Sequence, residues 1–256
     1  MISMRDQNTL RQRFSRELKS RLRIDFFTRR PTAIFIPGRE CLHCEDVQAM
    51  LEELTALSPR ISLTIHEYED GDKAAAALGV DNVPAIVLRG QANRPVRYFG
   101  MPSGAQWPGF IELLFETAGG IVQLPPEAVR ALKKLRSDVT LKLLITPGCP
   151  YSATMSRLVF KLGLQSVRVK VDVIEVAEFP HLVAQIGAPV VPVTVINDEY
   201  ATPGVLDDTD LAQALLLAAE GKEVSIVSQP GSVTPLVAPQ PQAAPRTSPG
   251  GLYIPR

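Results

Sequence analysis

One offset of 108 residues relates two halves of this chain, and it constrains the fold more than any other feature. Cys41-Leu42-His43-Cys44 is followed by Val83-Pro84. Cys149-Pro150-Tyr151-Ser152 is followed by Val191-Pro192, at the same spacing (41 to 84, 149 to 192). The apolar positions behind each cysteine shift with it: Val47, Met50, Leu51 and Leu54 fall onto Met155, Leu158, Val159 and Leu162, and Gly79 onto Gly187. A period this long indicates duplicated domains, because solenoid repeats are shorter. The 256 residues suffice for two small domains, each with its own core.

Periodicity gives the same order of elements in both halves. Leu10, Phe14, Leu18 and Leu22 recur every four residues, which predicts an amphipathic helix. Ala33–Ile36 reads as a buried strand ending at the Pro37-Gly38 turn. A helix runs from the first cysteine motif to Leu57. Ile61, Leu63 and Ile65 then alternate as a strand does. A short Ala-rich helix over 73–78, strands at 85–88 and 96–99 with a turn near Asn93, and a helix through Phe110, Leu113, Leu114 and Ala118 close the first half. The second half repeats this: a helix after Pro125-Pro126, strand 141–145, the cysteine helix, strand 167–173 and a helix over 177–186. Strands at 193–196 and 200–202 and a helix from Asp207 to Ala219 complete it. Asp207 and Asp208 are good N-caps. Each half predicts a mixed four-stranded sheet with helices on both faces, an α/β class. From about Ser228 the chain becomes Pro-rich, with too little apolar surface to offset ordering entropy. The expected units are therefore 1–120, 121–222 and a disordered Pro-rich tail over 223–256, with Leu252-Tyr253-Ile254 at its end.

Composition excludes several classes. Lys and Arg total 27 and Asp and Glu total 27, so no global charge points to nucleic acid. The basic residues of the first thirty positions read as a solvated helix face. The polar N-terminus has no apolar core of a secretory signal, and no apolar run reaches the roughly 20 residues of a membrane span. A cytoplasmic location is the expectation. Three cysteines are too few, and odd in number, for a structural disulfide framework. In a reducing compartment Cys-x-x-Cys is catalytic or metal-binding. A closed zinc site wants four ligands, often two Cys-x-x-Cys pairs. Only Cys41, His43 and Cys44 are local, so no metal is expected.

A cysteine opening a helix meets free amides and the positive end of the helix dipole, which stabilise a thiolate. Thiols so placed titrate at about 3.5–7.5, against roughly 8.5 when free. Cys41 is the expected nucleophile. Cys44, one turn deeper, is placed to attack a mixed disulfide at Cys41 and release the substrate. Val83-Pro84 and Val191-Pro192 are expected as cis peptides presenting backbone to an extended substrate. Cis is rare at X-Pro, about 5–6% of bonds, so the recurrence is what carries this reading.

This constellation resembles the thioredoxin superfamily. The tandem layout resembles the glutaredoxin-like protein disulfide oxidoreductases, which consist of two thioredoxin-fold units. Leu143 through Tyr151 is similar to the strand and active-site turn of that family's second unit, and Tyr98 through Gly104 to the segment closing its first. The resemblance spans about residues 8–220. It implies two tandem thioredoxin-like units exchanging disulfides with protein substrates, without a cofactor, and recycled by a reductase or a low-molecular-weight thiol. The family's second unit normally carries Cys-Pro-Tyr-Cys, but here Ser152 replaces the last cysteine. A hydroxyl cannot resolve a mixed disulfide, so the dithiol chemistry is expected in the first unit.

Three readings stand for Cys149: a degenerate unit kept for substrate binding, with Tyr151 beside it, a monothiol redox site, or a cluster ligand shared between chains. His43 also resembles the histidine before the second cysteine in protein disulfide isomerase. Protonated, it would stabilise the Cys41 thiolate and raise the potential from thioredoxin's roughly −270 mV towards the isomerase's roughly −180 mV. Glu40 reads either as a proton acceptor or as an opposing charge. His66 and His181 read as surface or satisfied residues, and Glu67, Glu69, Asp70 and Asp72 as a solvated turn or a buried relay. The lone Trp107 reads as packing. A non-catalytic scaffold is the alternative function, against which the resolving cysteine argues.

Overall fold

The computed structural model describes residues 2–30, 41–69, 71–182, 190–229 and 231–236. Helix α1 (Met4–Glu17) starts at Ser3, whose hydroxyl accepts the Asp6 amide. It stops at Leu18, where the backbone turns extended, and strand β1 (Leu22–Thr28) follows. The four-residue stripe thus belongs to two elements: Leu10 and Phe14 lie on the helix, Leu18 caps it and Leu22 opens the strand. All four are buried in one core, so their spacing does not separate helix from strand. β1 lies between β2 (Ile61–Glu67) and β3 (Ala85–Arg89) and is buried on both faces except at Arg23. A strand buried on both sides loses the alternation that marks a strand in sequence. The strand expected at 33–36 lies outside the described residues.

The first unit continues with α2 (Cys44–Ala56), α3 (Lys73–Leu78), β4 (Val96–Phe99) and α4 (Gln106–Gly119). The second comprises α5 (Pro126–Lys133), β5 (Val139–Ile145), α6 (Pro150–Gln165), β6 (Val169–Glu175), β7 (Val193–Ile196), β8 (Tyr200–Pro203) and α7 (Asp208–Ala219). Asp207 caps α7 by accepting the Thr209 amide at 2.8 Å. The helix expected over 177–186 falls partly outside the described residues.

The two four-stranded orders, β2-β1-β3-β4 and β6-β5-β7-β8, are the same. They are not separate sheets. β4 pairs in parallel with β6, Arg97 opposite Asp172 and Phe99 opposite Ile174, so one sheet runs through both units. β1, β4, β6 and β5 point the same way, which puts the ends of β1 and β5 on one edge. Helix α6 lies tight over the joint: a side-chain carbon on Gly163 would come within 2.7 Å of Val171. The larger core cluster spans both units, and each fully buried Leu, Ile or Phe in it contributes about 1.5–3 kcal/mol.

The Pro-rich segment begins as packed chain. Val224 and Ile226 are buried in that core, and β9 (Thr234–Pro235) pairs with β8. These two apolar side chains, ahead of the first tail proline, supply the burial, and a proline is tolerated on an edge strand because no donor is needed on its outer side. Residues 237–256 lie outside the described set.

Candidate active site

The first cysteine motif sits at the C-terminal edge of the sheet. Cys41 and Cys44 form a disulfide, with Cα atoms 5.5 Å apart. Cys44 opens α2 and is 2% exposed, and the backbone N–H of Arg29, just past β1, points at its sulfur at 3.3 Å. Cys41 is half-buried and so more accessible than Cys44. Leu42 between them is exposed.

His43 is the N-cap of α2 and makes no side-chain cap bond. Its Nδ1 lies 2.5 Å from Oε2 of Glu178, a residue of the second unit. This carboxylate raises the His43 imidazole above its ordinary range; partial burial opposes the shift, and Asp46 and Glu175 add to it. The other oxygen of Glu178 accepts the backbone N–H of Leu42 at 3.0 Å and of His43 at 3.4 Å. It lies 3.9 Å from Cys41 Sγ.

Both X-Pro bonds, Val83-Pro84 and Val191-Pro192, are cis. Val83 and Cys44 belong to one apolar cluster, against which Cys41 and Val191 also pack. The strands after each proline close back onto it: Gly100 N–H donates to Pro84 at 3.0 Å, and Gly204 N–H to Pro192 at 2.8 Å.

Cys149 is a free thiol at the N-cap of α6 and accepts the Ser152 amide at 3.4 Å. The Ser152 hydroxyl, with the amides of Ser152 and Tyr151, holds this thiol below its usual range against the opposing effect of burial. Ser152 is fully buried, and Tyr151 is exposed beside the sulfur. The two sites touch each other's units, since Ala105 N–H donates to Pro147 just before Cys149, at 2.9 Å.

The sequence profile of the thioredoxin domain matches residues 139–216. No curated protein matches the chain. A protein disulfide oxidoreductase from Aeropyrum pernix superposes with a TM-score of 0.71 at 22% identity, over 86% of this chain and 94% of that one. The N-terminal domain of the alkylhydroperoxide reductase AhpF from Enterococcus faecalis superposes with a TM-score of 0.72 at 16% identity, over 84% of this chain and 100% of that one. This chain is a tandem thioredoxin-fold protein.

Of the sequence-expected residues, Cys41, Cys44 and Val83 share one apolar cluster, against which Val191 of the second unit also packs, while Cys149 and Tyr151 lie at the start of α6. Glu178 is the residue that sequence reading missed, being far from Cys41 along the chain. A signal existed: the 108-residue offset maps Glu178 onto Asp70 and Glu175 onto Glu67. Asp70 and Glu40 lie outside the described residues. Glu67 is exposed and paired with Arg30 at 3.2 Å, and Asp72 caps α3 through the Ala74 amide. His66 is satisfied by Asp25 at 2.9 Å. Trp107 packs beside Phe110. Among the described residues no group of three metal-ligating side chains converges, and no helix is long and apolar enough to cross a membrane.

Proposed function

We propose that this protein is a thiol-disulfide oxidoreductase acting on protein disulfides, in which the first unit does the chemistry. The observation that carries this is the Cys41–Cys44 disulfide at the start of α2, with one sulfur accessible and the other buried. Cys41 attacks a substrate disulfide and Cys44 resolves the mixed disulfide. His43 tunes the Cys41 thiolate. The backbone at Val83-Pro84 receives the substrate chain, and Val191, Pro192 and Tyr151 offer a second place for it. Cys149 is auxiliary, because Ser152 cannot resolve. The chemistry needs no cofactor. A reductase or a low-molecular-weight thiol returns Cys41–Cys44 to the dithiol form in a reducing, cytoplasmic setting.

The test is dithiothreitol-driven insulin reduction by the wild type, Cys41→Ser and Cys149→Ser. Activity lost in Cys41→Ser and kept in Cys149→Ser supports the reading. Loss only in Cys149→Ser inverts the assignment. A wild type without activity would point instead to a binding or scaffold module.

A further inference from the structure

Glu178 belongs to the second unit, yet its carboxylate closes on the first. Its side chain is 2% exposed. A buried carboxylate is costly unless its lone pairs are matched. Here they are matched by the Leu42 and His43 amides and by the His43 imidazole. The loop bearing it is anchored on β4 of the first unit, where Phe179 packs edge-on against Phe99 at 6.3 Å. Gly100, at φ +108°, leaves room for Glu175; a side-chain carbon there would fall 2.6 Å from Cβ of Glu175. With the disulfide closed, Cys41 Sγ has no proton to give. Once it is reduced, the Cys41 S–H faces Oε1, which is 3.9 Å from Sγ.

We propose that Glu178 is a residue of the first thiol site, holding the Leu42–His43 turn and receiving the Cys41 proton as that thiol attacks a disulfide; this rests on the oxidoreductase reading above. The proton passes from Sγ to Oε1 while Sγ forms a bond to one substrate sulfur. The substrate S–S bond breaks, and the departing thiolate takes the proton held by Glu178. Cys44 then gives up its own proton and attacks Cys41 Sγ. The Cys41–Cys44 bond forms, and the second substrate thiolate leaves with that proton. The substrate disulfide gains two electrons and the protein dithiol loses two. The second unit, without a resolving cysteine of its own, thereby completes the site of the first.

Among the described residues, the charged groups acting on His43 in this turn are Glu178 and Glu175 from the second unit and Asp46 from its own. Insulin reduction by the full chain, followed from about pH 6 to about pH 9.5, separates a proton acceptor from a packing residue. In Glu178→Gln, which keeps an acceptor for the two amides, kcat/KM is expected to fall about tenfold or more near pH 6. It should converge on wild type at alkaline pH, where Cys41 ionises directly to water. Glu178→Asp keeps the base and should recover part of the loss at low pH. A defect of equal size at every pH, or no defect, overturns the role. Should Glu178→Gln not fold, the wild type still decides. Carboxyl carbon NMR of Glu178 must show a titration midpoint that moves when Cys41–Cys44 is reduced, and an unmoved midpoint overturns the proposal. Cys41→Ser separates the two readings. If it stays active, the assignment of the chemistry to the first unit fails. If it is inactive while Glu178→Gln matches wild type, only the role of Glu178 fails.

Discussion

Arg97 on β4 donates from Nε to Asp172 on β6, so a buried ion pair sits across the strand pairing that joins the two units. Arg97 also reaches the carbonyl of Leu78 at 3.3 Å. Burial pushes the Asp172 carboxyl above its ordinary range, and Arg97 opposes that shift. Removing one partner leaves the other charge buried and alone. Arg97→Ala is therefore expected to cost about 3–5 kcal/mol of unfolding free energy in denaturant titrations. The double variant Arg97→Met/Asp172→Leu should recover most of it, since an apolar pair of similar volume is often neutral or better. A single variant as stable as wild type would remove the pair from the account of how the units are held.

The potential of Cys41–Cys44 should depend on His43 and on pH. A protonated imidazole favours the reduced form, because it stabilises the thiolate. His43→Pro is thus expected to lower the potential towards thioredoxin's roughly −270 mV, measured against a dithiothreitol or glutathione couple. Glu178 raises the His43 pKa, so the charge is fully present below the ordinary imidazole range and is lost as pH rises through the raised value. Wild type and variant should therefore differ most at low pH and converge as pH increases. Equal potentials at every pH would reject the tuning role.

Gly100→Ala is expected to hurt both stability and activity. The position lies at φ +108° and has no room for a side-chain carbon beside Glu175. A non-glycine residue in such a conformation costs about 1–3 kcal/mol before any clash is counted. The loop displaced is the one that carries Glu178, so insulin reduction should fall with thermal stability. Loss of stability with unchanged kcat/KM would show that the loop shift does not reach Cys41.

Cys149 should be the thiol that reacts when the protein is oxidised. With Cys41–Cys44 closed, iodoacetamide is expected to label Cys149 alone, with a half-maximal rate below the roughly 8.5 of a free thiol. Mass spectrometry and a pH series of labelling rates check both points. A midpoint at or above that of a free thiol would contradict the helix-start environment.

Ser152→Cys should rebuild a second dithiol. Ser152 is fully buried one turn below Cys149, as Cys44 is buried one turn below Cys41. The variant is expected to form a disulfide between Cys149 and the introduced thiol, and to gain insulin reduction that survives Cys41→Ser. A free Cys149 under oxidising conditions would show that the two turns differ in more than one atom.

Much of this molecule was legible in its sequence because the elements obey local rules. The duplication set the unit order, the short helix α3 lies at 73–78 as read, and Asp207 caps α7. The two cis X-Pro bonds were readable only because they recur. What was missed depends on partners distant in the chain. β1 hides its strand character because both of its faces are buried and because Arg23 and Asp25 interrupt its apolar run. The joining of two sheets rests on β4 meeting β6, which no local pattern encodes. Glu178 looked like one acid among several, and its meaning comes from a loop that crosses a boundary between units.

The β4–β6 pairing also bears on why a unit with only half of a redox motif persists. Severing the chain between α4 and α5 would turn two interior strands into raw flanks, each with an unpaired row of peptide groups and one orphaned charge of the Arg97–Asp172 pair. Either fragment would seek a mate, the other fragment or a copy of itself. Removing the second unit would thus cost the first its β4 edge partner and the counter-charge of Arg97, whatever the second unit's own thiol contributes.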